Sequence, residues 1–250
     1  MSAALKAVLF DLDGTMYYQT PLRAAMLAEL STIGCVPRGS LSPRRLWRLL
    51  SAFRRIREEL RHVHPDTVDL ESEQYRRAAG AVGMSEAQAR AAVGEWIFTR
   101  PLKYLPLSRR RGVVDTLRKL RDRGLQVGVF SDYPTTAKLA ALGVTPLVTL
   151  EVCATDAAVN AFKPHARGFL HACAVWGIAP DQVAYVGDRP EVDAVGARNA
   201  GMQCLIVGRG GAHGVPYEHA TFTGLTAALE RLPAVRSAGT SEGFDGIRAH

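Results

Sequence analysis

Long hydrophobic runs are missing from this chain of 250 residues. No stretch reaches the roughly 20 apolar residues a membrane-spanning helix needs, so no membrane association is expected. Cysteine is scarce: Cys35, Cys153, Cys173 and Cys204 are scattered and form no Cys-x-x-Cys pair. They read as reduced thiols, not as a disulfide framework. Met1 to Phe10 holds one short apolar run and no cleavage-site pattern, so no signal peptide is expected and the cytoplasm is the expected location. His62, His64, His165, His171, His213 and His219 show no metal-ligand spacing, and His62 and His64 fall on different faces of a helix. The glycine-rich stretch Gly208 to Gly214 is not followed by the lysine-serine pair of a P-loop and reads as a flexible loop. Internal repeats and low-complexity tracts are absent.

What remains is ordinary globular composition, with 47% hydrophobic and 22% charged residues. The length suits one large domain, or a core with a smaller attached domain. Lys and Arg outnumber Asp and Glu by 31 to 24, which permits an anionic partner or substrate.

Ala7 to Phe10 is a continuous apolar run followed by turn chemistry, the pattern of a buried strand. Gln126 to Phe130, Leu147 to Leu150, Val183 to Val186 and Cys204 to Val207 repeat it, with strand-forming β-branched residues. Helical patterns separate most of them: Val113 to Arg123, Thr135 to Leu142, Ala166 to Trp176 and Glu191 to Ala200, each ending at a glycine. Alternating strands and helices predict an α/β fold, a Rossmann-like doubly wound parallel sheet covered on both faces.

One gap breaks this rhythm. Between Phe10 and Gln126 lies far more chain than a crossover helix needs. Its excess, roughly Tyr17 to Arg100, reads as helical. Leu46, Leu49, Leu50, Phe53, Ile56 and Leu60 recur at helical spacing, Ser42-Pro43 is a plausible start, and Glu71 to Val82 and Ser85 to Phe98 read as further helices. The implied division is a core of residues 1–16 and 101–235, an inserted α-helical cap at 17–100, and a disordered tail at 236–250. Trp47, Trp96 and Trp176 are expected in core or cap packing. Arg38 to His64 carries eight arginines against two glutamates. Three readings stay open there: a solvated helix face, a cap surface attracting a polyanionic substrate, or a nucleic-acid surface. No recognised nucleic-acid motif supports the last.

Ligands of open parallel sheets bind beyond the C-terminal strand ends. The residues that follow the predicted strands are therefore the informative ones. Asp11 and Asp13 follow the first; Ser131 and Asp132 follow the second; Gly187 and Asp188 follow the fourth, with Asp193 close behind. Lys163 precedes another helix. Two like charges as near as Asp11 and Asp13 raise each other's pKa unless a cation compensates. Magnesium takes octahedral oxygen ligands, often one or two carboxylates with water and phosphate.

In this order, "DLDGT", "VFSD", "FKPH" and "YVGDRPEVD" resemble the motifs of the haloacid dehalogenase-like hydrolases, over roughly residues 5 to 210. The helical insertion matches that family's commonest cap position. The resemblance implies a phosphate-monoester hydrolase using Mg2+ and a small phosphorylated metabolite. Asp11 would be the nucleophile, Asp13 the acid and base, and Ser131 and Lys163 the holders of the phosphoryl oxygens. Asp11, Asp13 (through its carbonyl), Asp188 and Asp193 are expected around the metal, Asp193 through water or by fixing Lys163. Gly14, Thr15, Tyr17 and Asp132 are expected beside the substrate, with Thr15 ordering the turn or Asp13, and Tyr17 or Tyr18 at the entrance. Aspartate at position 13 resembles phosphatases and phosphotransferases, not dehalogenases, whose leaving halide needs no proton. A phosphotransferase or phosphomutase, and a non-catalytic binding protein on this fold, are the alternatives. Asp132, where the family often has Asn, and Arg189, where Ser or Thr is common, depart from the pattern.

Overall fold

A computed structural model describes residues 4–32, 41–208 and 218–231. Six parallel strands form one sheet in the order β3-β2-β1-β4-β5-β6. They are β1 (Ala7–Phe10), β2 (Gln126–Ser131), β3 (Leu150–Cys153), β4 (Val183–Gly187), β5 (Gln203–Val207) and β6 (Glu218–Ala220). Side chains alternate across β1. Val8 and Phe10 join one core cluster with Val129, Val186, Leu117, Leu139 and Leu225, while Ala7 and Leu9 join the other with Phe130, Tyr185, Phe169 and Ile206. A sheet buried on both faces needs both sets apolar, which is why its strands read as continuous runs.

Helices α1 (Gln19–Thr32), α2 (Pro43–Leu60), α3 (Leu70–Val82) and α4 (Glu86–Val93) make the inserted cap. The core carries α5 (Leu105–Ser108), α6 (Val113–Asp122), α7 (Thr136–Leu142), α8 (Arg167–Trp176), α9 (Val195–Asn199) and α10 (Leu225–Arg231). In α2 the side chain of Ser42 accepts from Arg45 N and Pro43 opens the helix, while Leu46, Leu49, Leu50, Phe53, Ile56 and Leu60 are all buried. The segments entering and leaving the cap are tied together: Tyr18 N donates to Ser108 O at 2.8 Å and Arg110 N to Met16 O at 3.0 Å.

The third strand lies later than its apolar run suggested. Pro146 begins a 3-10 turn over Thr145–Leu147, and the strand covers Leu150–Cys153. Glu151 broke the apolar pattern, yet the edge of a sheet tolerates a charge, and Thr135 and Thr136 both donate to it. Strand β6, also at an edge, went unread. Among the tryptophans, Trp47 is half exposed and is not packed as expected. Cys153, Cys173 and Cys204 are buried free thiols. Cys35, His213, the tail at 236–250 and the loop beyond Gly208 lie outside the described residues. Among the described residues no helix is long and apolar enough to cross a membrane.

Candidate active site

The strand order reverses direction at β1 and β4, and their C-terminal ends open into the crevice where such sheets bind ligands. Asp11 leaves β1 with its backbone N–H still donating to Val186 O at 2.8 Å. Its Oδ1 accepts from Lys163 Nζ at 2.6 Å and its Oδ2 from the Thr15 hydroxyl at 2.8 Å. The sequence offered the turn or Asp13 as what Thr15 orders; its hydroxyl bonds Asp11, at the start of that turn. Burial pushes the Asp11 carboxyl up strongly; Lys163 opposes this, while Asp193, Asp188 and Asp13 add to it.

The turn after β1 needs glycine. Gly14 has φ +100°, and a Cβ there would lie 2.1 Å from Asp188 Oδ2. Gly187 meets the same limit at the end of β4, where a Cβ would lie 2.3 Å from Asp193. These two glycines let three acid-bearing segments close on one another. Gly14 therefore serves the packing of the acids, and its carbonyl is occupied by Arg110 Nη2 at 2.8 Å.

Asp13 is held differently. Lys138 Nζ donates to its Oδ1 at 2.5 Å, Ser131 Oγ to its Oδ2 at 3.1 Å, and the Tyr17 hydroxyl to Oδ1. Burial raises its pKa, but Lys138 and these hydrogen bonds outweigh that and hold it below the usual carboxylate value. Tyr17 is accordingly buried against Asp13, while Tyr18 is half exposed and belongs to the lining of the cavity. Lys138, on α7, was not anticipated. It sits mid-helix, with no motif around it to mark it.

Lys163 is 3% exposed and lies among three oxygens: Asp11, Asp193 Oδ1 at 2.8 Å and the Tyr185 hydroxyl at 3.0 Å. Burial works against its charge, yet Asp11 and Asp193 prevail and its pKa rises. Tyr185 was read only as part of an apolar strand. A buried tyrosine needs a hydrogen-bond partner, and that was the available signal.

Asp193 lies in a π-helical turn, Pro190–Ala194. Its Oδ2 accepts from the backbone N–H groups of Asp188 at 3.1 Å and Arg189 at 3.0 Å. With Oδ1 on Lys163, both its oxygens have protein donors. Asp188 is the contrast: its Oδ1 is buried with no donor among the described residues. Burial, then the charge of Asp193, pushes its carboxyl up to about 7. Carboxylate oxygens of Asp11, Asp188 and Asp193 lie within 4.8 Å of one another. An orphaned carboxylate oxygen in an acid cluster suits a hard divalent cation with oxygen ligands. The Asp13 carboxylate stands outside that cluster, and its carbonyl accepts from Gln19 Nε2 at 2.7 Å.

The arginines of α2 divide in two. Arg44, Arg45, Arg48, Arg54 and Arg55 are exposed. Arg57 is buried, stacks over Tyr133 at 3.9 Å and donates to Asp132 O and Gln74. Arg61, in the turn after α2, reaches Asp132 Oδ2 at 2.7 Å and Lys163 O at 2.6 Å. So Asp132, expected at the substrate, lines the cavity beside Asp11 and also anchors the cap to the core, accepting from Lys163 N at 3.2 Å as well. Its departure from the family's asparagine has a physical counterpart in the Arg61 charge. Asn160 adds a second anchor, accepting from Leu70 N and donating to Pro65 O and Val68 O.

Burial raises the Asp132 pKa, but Arg61, Lys163 and Arg57 outweigh it, and the net direction is down. The linked stabilisation is complete above the unfolded value of about 3.9 and fades as pH falls through the lower folded value. Arg61→Ala leaves that buried carboxylate without its main partner. The expected loss is about 3 kcal/mol, or roughly 10 °C in Tm, at neutral pH. Thermal unfolding checks it, and an unchanged Tm would contradict the anchor.

A model of the haloacid dehalogenase-like hydrolases matches residues 5–201. A glyceraldehyde 3-phosphate phosphatase of Methanopyrus kandleri is 30% identical over 218 residues, covering 82% of this chain and 85% of that one. Phosphoglycolate phosphatase 1 of Pseudomonas aeruginosa is 26% identical over 84% of this chain and 72% of its own length. The crystal structure of a phosphatase of this type from Thermococcus onnurineus superposes with a TM-score of 0.60 at 25% identity, over 90% of this chain and 98% of that one. The chain belongs to the haloacid dehalogenase-like hydrolase family.

Proposed function

We propose that this chain is a magnesium-dependent phosphate-monoester hydrolase that works through an aspartyl-phosphate on Asp11, with a small phosphorylated metabolite as substrate. The observation carrying this reading is the meeting of Asp11, Lys163 and the orphaned Asp188 carboxylate at one corner of the crevice. The relatives named as phosphatases support the same class.

Asp11 and Asp188 would hold the magnesium, which when bound neutralises the clustered carboxylates and the incoming phosphoryl group. Asp193 fixes Lys163 and the backbone around Asp188. Lys163 Nζ and Ser131 Oγ receive the phosphoryl oxygens, where charge must be stabilised. An Asp11 oxygen bonds to phosphorus as the ester P–O bond breaks, and Asp13 gives its proton to the leaving oxygen. Water then attacks phosphorus, Asp13 takes a water proton, and the bond to Asp11 breaks. Asp13 rests as a carboxylate under Lys138. The negative charge of an entering phosphoryl group raises its pKa and brings it toward the protonated form the first step needs.

Phosphate release from a panel of phosphate monoesters, with magnesium and with EDTA, tests the proposal. Release that needs the metal is expected. Release unaffected by EDTA, or none from any ester, would overturn it, and phosphate found on an acceptor would mark a transferase instead. A second expectation follows from Asp188. With its carboxyl near 7, a proton competes with the cation, so the magnesium concentration giving half activation should climb as pH falls from about 8 to about 6. A flat dependence would contradict Asp188 as a ligand.

A further inference from the structure

The roof of the cavity has a chemistry of its own. The space above Asp11 measures about 1080 Å³ and extends to α1 and α2 of the cap. A phosphoryl group fills a small part of it; such a volume accommodates a whole small molecule.

The charges on its walls are mostly matched. Lys138, Lys163, Arg55, Arg61 and Arg189 each pair with a carboxylate, and Arg110 holds the Gly14 carbonyl. Two guanidiniums lining the same cavity are left over. Arg54 has no hydrogen bond or carboxylate partner among the described residues. Among the described residues, Arg23 meets only the neutral Gln19 side chain. Apolar groups line the same cavity: Leu27 and Trp47 are half exposed there, and Leu30 and Trp96 belong to its lining too. Partial loss of hydration, and then the like charge of Arg23, lower the Arg54 pKa, with Tyr133 opposing. An arginine stays charged despite such a shift. A guanidinium partly withdrawn from bulk water in a cavity with apolar lining attracts an anion more strongly than one in open water. Its planar fork matches a carboxylate or phosphate.

We propose that Arg54, with Arg23 on the same cavity wall, forms a subsite for a second anionic group of the substrate. This rests on the phosphatase reading and narrows it: the preferred esters carry a carboxylate or a further phosphate away from the scissile one. Arg54 is then a specificity-determining residue, acting on substrate selection and not on the phosphoryl step.

Matched esters that differ only in carboxylate against hydroxymethyl test this. Suitable pairs of increasing length are 2-phosphoglycolate with 2-hydroxyethyl phosphate, 3-phosphoglycerate with glycerol 3-phosphate, and 6-phosphogluconate with sorbitol 6-phosphate. Glucose 1,6-bisphosphate against glucose 6-phosphate supplies the phosphate arm. At least one anionic member should exceed its partner about tenfold in kcat/KM. Arg54→Gln should collapse that ratio towards one, mainly through KM, while Arg48→Gln, on the same helix but outside the cavity lining, keeps it. Equal turnover of anionic and neutral members in every pair, or a ratio unmoved in Arg54→Gln, would overturn the subsite and leave the phosphatase standing. Failure to turn over any ester would overturn the phosphatase itself. Calorimetric binding of the same pairs to Asp11→Asn protein gives the comparison without turnover, and equal affinities there would also overturn the subsite.

Discussion

Asp11→Asn protein is expected to fold normally and release no measurable phosphate, a fall on the order of 10⁴-fold or more. The substitution keeps the size of the side chain and removes its negative charge. Asparagine oxygen is too weak a nucleophile to displace an alkoxide from phosphorus. The fold should not suffer. In the native site burial and three neighbouring acids raise the Asp11 pKa and outweigh the opposing charge of Lys163. Above the unfolded carboxylate pKa, a group raised in this way costs the folded state free energy. The metal-free variant should therefore melt at the same temperature as the wild type, or higher. Turnover near the wild-type rate would contradict the assigned role. A collapsed Tm would show instead that Asp11 is chiefly structural.

Lys163→Met should have the next largest effect, and unlike the first it acts on stability as well. The ammonium lies 2.6 Å from Asp11 and 2.8 Å from Asp193. Methionine fills the space but leaves two buried carboxylates without their cation. Removing one member of such a group costs about 3–5 kcal/mol. The rate should drop by roughly 10²–10³ because a charge that stabilises the phosphoryl oxygens disappears. Adding Asp193→Asn removes one of the stranded acids, so the double variant should recover much of the lost Tm but little of the rate. That split separates the two roles. Recovery of both would mean Lys163 matters only for folding, and recovery of neither would mean Asp193 is not its electrostatic partner.

Much of this site could be read from one dimension. Asp11, Ser131 and Asp188 each end an apolar run, and parallel strands bring such ends to one rim. The inserted helices were visible because a buried face such as Leu46 to Leu60 repeats at helical spacing. What escaped reading has a common cause. Lys138, Arg57, Arg61 and Asn160 act through partners 125, 75, 102 and 90 positions away. Nothing local distinguishes them from surface residues. Arg57 and Arg61 lay inside a stretch where a solvated face was one of three open readings, and only the fold shows Asp132 opposite them. Tyr185 was hidden for another reason: its ring fits a buried strand, and its hydroxyl is what reaches Lys163. The strand at Leu150–Cys153 was displaced because Pro146 converts the front of an apolar run into a turn.

The most direct test of the central claim is to trap the covalent intermediate. Enzyme mixed with magnesium and a turned-over ester is quenched in acid within a single turnover, digested, and weighed by mass spectrometry. The account predicts one added phosphoryl group on the peptide bearing Asp11, sensitive to hydroxylamine and absent from Asp11→Asn protein. Phosphate release with no phosphorylated peptide at any quench time, or with the group on another residue, would contradict it.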